Sequence, residues 1–373
     1  EQLNLLHNQN VQDAAVLVLE TQTGKVIAYA ANAGAGVASA EQTDGIQMRR
    51  QVGSTIKPFV YATAFDWRIL LPESLLEDSA ADIPVGNGRI YHPQNYDQLF
   101  RGLVSVSEAL GSSMNVPTVK ALGLIGEGRV LDKLRALGFE QLEDDDFYGP
   151  SLALGTIDAS LWEMTQGYRQ FGVENSTFSQ ETRSQIFSIL SSLEYRRFTF
   201  GMNSLLSLPF QAAVKTGTSK DMRDNWCIGW TPKYTVGVWV GNFNGEPMWN
   251  VSGISGAAPI WRNLMLALHP SPLPAIATTY QAPASPLEKK TLTHIAYPAS
   301  QMIIGLDPDI PKSVQKLPIE IENPRPNDQI FLNEKLLGKS QKTLLWPIKL
   351  GKYKIELKNA LNENIDTIQF EVR

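Results

Sequence analysis

The chain has 373 residues, 43% hydrophobic and 19% charged, which suits a folded protein with a large core and two or three domains. A formal net charge of −5 and a pI near 5.5 argue against nucleic acid as a partner, because that binding rests on Lys and Arg neutralising phosphates. No apolar run approaches the roughly 20 residues that span a bilayer, and the single cysteine, Cys227, permits no intrachain disulfide.

The first residues, Glu-Gln-Leu-Asn, carry neither an initiator Met nor a signal-peptide charge pattern, so the chain reads as a fragment of a longer one. Residues 14–31 are two β-rich runs joined by Thr-Gln-Thr-Gly and predict a hairpin. A Gly/Ala-rich loop to residue 52 leads into "GSTIKPF", residues 53–59. Pro58 fits only near a helix start, which predicts a helix from Ser54 to about Leu70. Residues 72–103, including "HPQNYDQLF", read as irregular connection. Helical periodicity returns over 104–137, 158–172 and about 180–195.

The period then changes. From Gln211 to Val240 short apolar bursts between turns predict three adjacent strands, and residues 258–269 a closing helix. Strand pair, helical block, strands and helix make one mixed α/β domain whose sheet is completed by distant segments. Residues 271–293 are a Pro-rich linker, and six short β-rich runs over 294–373 predict a small all-β sandwich.

Three motifs carry chemistry. On a helix the Lys57 amine is a surface neighbour of the Ser54 hydroxyl, a nucleophile beside a base. The same spacing recurs in Ser313-Val-Gln-Lys316, where no helix pattern supports it. Ser113-Met114-Asn115 is the only Ser-x-Asn in the chain, and Lys215-Thr216-Gly217-Thr218 holds its only Lys-Thr-Gly. The separations, 59 residues from 54 to 113 and 102 from 113 to 215, place each motif on its own element. A second cation at Lys215 would depress the Lys57 pKa, Ser113 can relay a proton, and the Asn115 amide can hold a peptide. Lys215, Thr216 and Thr218 match a carboxylate, Gly217 would let a substrate backbone approach, and the Ser54 N–H with one near Thr218 could bind an oxyanion. Each motif alone has a bland reading: a helix cap, a helix-terminal turn, a β-turn. The four histidines are scattered, and "GAGVAS" at 34–39 fails the phosphate-loop patterns, so neither cofactor nor metal is expected.

The ordered set Ser-x-x-Lys, Ser-x-Asn, Lys-Thr-Gly is a known signature of penicillin-interacting serine enzymes. With "YHPQNYDQLFRGLVSVSEALGSSMNVPTVKALG", "AVKTGTSKDMRDNWCIGWTPKYTVGVWVGN" and "SGAAPIWRNLM", the chain resembles the transpeptidase region of bacterial class A penicillin-binding proteins, its 1C branch in particular. That resemblance implies an α+β fold of the penicillin-binding transpeptidase and serine β-lactamase kind, a mixed sheet packed with a helical block, over residues 11–270. Residues 1–10 would be the remnant of an inter-domain linker, and 294–373 the branch's immunoglobulin-like C-terminal domain.

It further implies peptidoglycan stem peptides as substrate and β-lactams as covalent inhibitors. Ser54 would be the nucleophile, Lys57 the base, Ser113 the relay, Asn115 a substrate-orienting residue, and Lys215, Thr216, Gly217, Thr218 and Ser219 the substrate and oxyanion side. A glycosyltransferase domain and membrane anchor would precede residue 1 in a periplasmic parent chain, and the C-terminal domain would meet a periplasmic protein partner. Met114 stands where β-lactamases carry Asp, and no Glu-x-x-Leu-Asn segment supplies a deacylating base, which disfavours the hydrolase alternative. A sensor or scaffold with little turnover stays open.

Overall fold

The computed structural model describes the chain except residues 35, 37, 82, 85–89, 96–97, 202–203, 271–292, 299–301, 305–314, 323 and 373. It divides into two compact units, Glu1–Pro283 and Ala284–Arg373. The predicted linker, and Ser313 with it, falls almost wholly outside the described residues.

The first unit is organised by a five-stranded antiparallel sheet. Strands β1 (Asp13–Glu20) and β2 (Val26–Ala30) form the predicted hairpin, and β3 (Ala213–Thr218), β4 (Asp224–Trp230) and β5 (Tyr234–Gly241) are the predicted trio. The order is β2-β1-β5-β4-β3, so β1 pairs with β5 and the two distant segments make one sheet. The run "AAVLVL" is apolar at every position because β1 is covered on both faces. Ala15, Leu17 and Leu19 join the core under the helical block, while Ala14 and Val18 join the core on the opposite face. Trp226, Ile228, Trp230 and Trp239 alternate in the same way with Cys227, Val236, Val238 and Val240.

The helical block is built from α1 (Lys57–Asp66), α2 (Val106–Gly111), α3 (Asn115–Ile125), α4 (Glu127–Ala136), α5 (Leu161–Arg169) and α6 (Gln180–Ser191); α7 (Ala257–Leu268) packs on the far face. Every residue of α1 from Lys57 to Phe65 is buried, so it is the central helix of the layer. It differs from expectation at both ends. Residues Gly53–Ile56 form a 3₁₀ turn before the α-helix proper, and the helix stops at Asp66 rather than near Leu70, with Arg68 in the left-handed region. Similarly, 104–137 is three helices, broken by the Ser112–Met114 turn and by Gly126. The stretch expected to be irregular contains a strand pair, Leu75–Asp78 with Gly102–Ser105, too short for a periodicity signal. The capping box of α5 is Ser160 with Glu163, whose carboxylate also takes Arg49 at 2.7 Å.

In the second unit, β6 (His294–Tyr297), β8 (Lys316–Glu322) and β11 (Thr343–Pro347) form one sheet. The other holds β7 (Met302–Ile304), β13 (Asn364–Val372), β12 (Gly351–Lys358), β9 (Gln329–Leu332) and β10 (Lys335–Lys339), in that order. One core joins them, with Ile295, Leu317, Ile319 and Ile321 from the first sheet and Ile330, Ile355, Leu357 and Phe370 from the second, as a sandwich requires. Strands β6 and β10 lie outside the six predicted runs.

Close helix approach explains one strand glycine. A Cβ on Gly237 of β5 would sit 2.1 Å from Thr165 Oγ1 on α5 and 3.0 Å from Leu161. Gly237→Ala is expected to lower stability by about 1–3 kcal/mol through overpacking. The check is a lower urea midpoint with an unchanged m-value.

Candidate active site

Ser54 is the second residue of the 3₁₀ turn, and that turn is wedged into the fold by glycines. Gly53 has φ of +54°, and a Cβ there would lie 2.5 Å from the Thr218 carbonyl oxygen at the end of β3. Gly155, with φ of +77°, faces it from the other side, where a Cβ would meet the Gly53 oxygen at 1.9 Å. Backbone bonds from Gly53 N–H to Gly155 O (3.0 Å) and from Val52 N–H to Ile157 O (3.2 Å) fix the turn, and the Tyr168 hydroxyl donates to Thr55 O at 2.7 Å. Gly217 completes the contact. Its missing side chain admits Val52 O (2.8 Å) and Thr55 of the same turn, so it makes room for the chain's own backbone rather than for substrate.

Lys57 opens α1 one turn later and is fully buried. Its amine donates to Ser113 O (2.7 Å), Met114 O (3.0 Å) and Asn115 Oδ1 (2.7 Å), with Ser113 Oγ at 3.5 Å. Ser54 Oγ is not among these partners, although the helix spacing predicts that neighbour. Three carbonyl-type acceptors instead surround the amine, one for each hydrogen of its ammonium form. All come from the turn between α2 and α3, where Ser113 sits at φ of +57°. A non-glycine residue in this region costs of order 1–3 kcal/mol, so the surroundings must hold it there. What holds it is the pair of lysines: Lys215 Nζ donates to Ser113 Oγ at 2.7 Å from the strand side, while Lys57 approaches from the helix side. Two of the predicted groups, Lys57 and Lys215, therefore converge on the hydroxyl of a third, Ser113.

Strand alternation separates the remaining ones. Lys215 and Gly217 face the helical block, whereas Thr216 and Thr218 lie on the opposite side; the Thr218 hydroxyl accepts the Gly253 N–H at 3.0 Å. A single cluster of one cation and two hydroxyls is thus not what the strand presents. Ser219 is withdrawn as well: it is buried, its hydroxyl donates to Asp224 Oδ2 at 2.7 Å, and it closes the turn into β4. The ladder phase supplies a different resource. Ser219 N–H pairs inward to Asp224 O, so alternate residues 217 and 215 also face β4, and the main-chain groups of Thr216 and Thr218 point to the free edge of the sheet. The Thr218 N–H and the Ser54 N–H, a helix-start donor, are the available oxyanion donors.

Burial, and then Lys215, push the Lys57 pKa well down, and burial brings Lys215 to about 7. Among the described residues no group of three or more His, Cys, Asp or Glu could hold a metal ion.

Sequence reasoning missed a second tier. Asn95 is buried, its amide donates to Asp78 Oδ1 (2.7 Å) and its oxygen accepts Asn115 N–H (2.9 Å), while Asn115 Nδ2 donates to Gln94 O at 2.8 Å. A capping contact made across 20 residues leaves no local pattern.

Folding pushes the Lys57 pKa down and brings Lys215 to about 7, so above pH 7 the unfolded chain binds more protons than the folded one and stability rises with pH. Above about pH 8.5, the Cys227 thiol and the Tyr61 and Tyr168 phenols, raised by burial, act in the opposite sense. The unfolding free energy, followed through the urea midpoint, should therefore climb between those values, by roughly 1 kcal/mol per pH unit from Lys215 alone and by more with Lys57. In Lys215→Met the climb should be smaller; an equal climb would show that Lys215 is not the source.

The sequence and the fold have counterparts in known proteins. The "Penicillin binding protein transpeptidase domain" family model matches residues 14–266, and the "Penicillin-Binding Protein C-terminus Family" model matches 283–360. Penicillin-binding protein 1C of Escherichia coli (strain K12) is 34% identical over 230 residues, 58% of this chain and 29% of that protein. Penicillin-binding protein 4 of Bacillus subtilis (strain 168) is 27% identical over 288 residues, 70% of this chain and 45% of that protein. The matched part thus spans less than half of each relative. In fold, the unit resembles penicillin-binding protein 1A of Haemophilus influenzae, with a TM-score of 0.62 at 20% identity over 71% of this chain and 49% of that one. It also resembles PonA1 of Mycobacterium tuberculosis in complex with penicillin V, with a TM-score of 0.60 at 19% identity over 72% and 81%. The transpeptidase model covers more than half of the sequence, and the chain belongs to the penicillin-binding protein transpeptidase family.

Proposed function

We propose that this chain is the acyl-transfer portion of a peptidoglycan D,D-transpeptidase that works through a serine acyl-enzyme at Ser54. The supporting observation is the convergence of Lys57 and Lys215 on the Ser113 hydroxyl, beside a nucleophile turn wedged against the end of β3. A stem peptide lies extended along the open edge of β3, paired with Thr216 and Thr218, its terminal carboxylate near the Thr218 hydroxyl. That hydroxyl already accepts from Gly253, so its own proton is left to donate.

Ser54 Oγ attacks the penultimate D-Ala carbonyl as its proton passes to the lysine pair, and the oxyanion rests on the Ser54 and Thr218 N–H groups. As the C–N bond breaks, the proton moves through Ser113 to the departing D-Ala amine, leaving an ester on Ser54. An amine of a second stem peptide then attacks that ester, its proton returns to Ser54, and the cross-link forms. For Lys57 to take the first proton, one of its three acceptors must give way. Asn115 Oδ1 is the only one on a side chain, so it turns aside and its amide becomes available to the substrate. A β-lactam follows the same first half, but its leaving nitrogen stays tethered and the adduct persists.

In this reading the parent chain carries a glycosyltransferase region and a membrane anchor ahead of residue 1 and acts in the periplasm, the C-terminal sandwich meeting a periplasmic protein. Among the described residues no helix is long and apolar enough to cross a membrane.

Mass spectrometry of the intact chain after penicillin treatment should show one adduct, on the peptide holding Ser54, and none in Ser54→Ala. Added amino-acid acceptor should speed its release; prompt release to water alone would make the chain a hydrolase instead. Acylation should rise with pH through the titration of the lysine pair. Removing the like-charge neighbour in Lys215→Ala should let the Lys57 pKa climb, and the acid limb of that profile should move to higher pH.

A further inference from the structure

The α3 helix begins at Asn115, and its first N–H groups have no intrahelical acceptors. Met114 precedes it and has no side-chain oxygen to offer. The acceptor comes instead from Asn95, whose Oδ1 takes Asn115 N–H at 2.9 Å and Val116 N–H at 3.4 Å. An amide could face the helix with either end. Here the choice is made by Asp78, fully buried on the strand Leu75–Asp78, whose two carboxylate oxygens receive Asn95 Nδ2 at 2.7 and 2.9 Å, with Leu99 O at 2.8 Å. A carboxylate only accepts, so it fixes the nitrogen on its own side and the oxygen on the helix side. Asp78 is anchored in turn by the Arg101 N–H at 3.0 Å.

The helix start matters because residues 113–115 supply all three close acceptors around Lys57 and the hydroxyl that Lys215 holds. A displacement of this tripeptide moves both lysines' partners together. We propose that Asn95, oriented by the buried Asp78 carboxylate, is a positioning residue for the acylation chemistry, setting the start of α3 and through it the cage around Lys57. The inference rests on the acyl-enzyme reading above.

The test is an exchange of the two groups in the full chain, followed by the second-order rate constant of penicillin acylation per folded site between pH 6 and 9, with the thermal midpoint measured alongside. Asn95→Asp sets two carboxylates against each other and should slow acylation about ten- to a hundredfold, with a changed pH profile. Adding Asp78→Asn restores a donor facing an acceptor, now with the carboxylate at the helix N-terminus where it is favoured, and should return the rate to within a fewfold of the parent. If Asn95→Asp does not fold, the double variant decides alone. An Asn95→Asp chain that acylates at the parent rate and profile per folded site would overturn the proposal, as would a folded double variant that remains slow. A parent chain that takes no adduct would overturn the acyl-enzyme reading and this proposal with it; a labelled parent with an unaffected variant overturns the proposal alone.

Discussion

Two buried amines sharing one alcohol is the constraint around which the first unit is arranged. Among the described residues neither Lys57 nor Lys215 has a carboxylate partner in the site; their close contacts are carbonyl oxygens, an amide oxygen and the Ser113 hydroxyl. A buried charge without a counter-ion is expensive, and it is made tolerable here by acceptor dipoles and by easy loss of a proton. That is also what a base needs. The same burial that destabilises the ammonium prepares the neutral form, so the strain of folding and the requirement of the chemistry have one origin.

Holding the pair in place calls on elements far apart in sequence. The left-handed Ser113 turn is gripped between a helix start and a strand, the Ser54 turn is pinned between Gly155 and the end of β3, and Gly217 removes the side chain that would keep them apart. Pro58 has a part in this division. Lacking an N–H, it suits the first turn of α1, directly after the 3₁₀ turn that carries Ser54.

Much of this was legible from residue patterns, and the exceptions have physical reasons. Short apolar runs between turn signals marked the sheet strands, Pro58 marked the start of α1, and a period of 3.6 marked α7. Three-residue breaks such as Ser112–Met114 are set by tertiary hydrogen bonds and carry no period of their own. Motif order identified Ser54, Lys57, Ser113 and Lys215 as a set, and the fold brings Lys57, Ser113 and Lys215 into contact. The direction of each side chain was less accessible. Helix spacing suggested a direct Lys57–Ser54 contact, but the amine is drawn to the richer acceptors of residues 113–115. Thr216, Gly217 and Ser219 were read from their chemistry, whereas the strand pleat, the tight turn packing and the β4 turn decide what each one meets. Asn95 and Asp78 were invisible because their partners lie on other elements.

The open border of β3 has a consequence of scale. Beside the Ser54 turn, Thr216 and Thr218 turn their main chain outward, and Gly53 lies against the last carbonyl. A guest gains two rungs of pairing, worth roughly 2–4 kcal/mol in net terms. By itself that corresponds to a dissociation constant of about a millimolar or weaker. On the proposed reading such a ledge grips loosely and releases readily, as suits a catalyst serving a polymer that offers many similar ends at high local density, and durable occupancy then belongs only to molecules that become covalently attached.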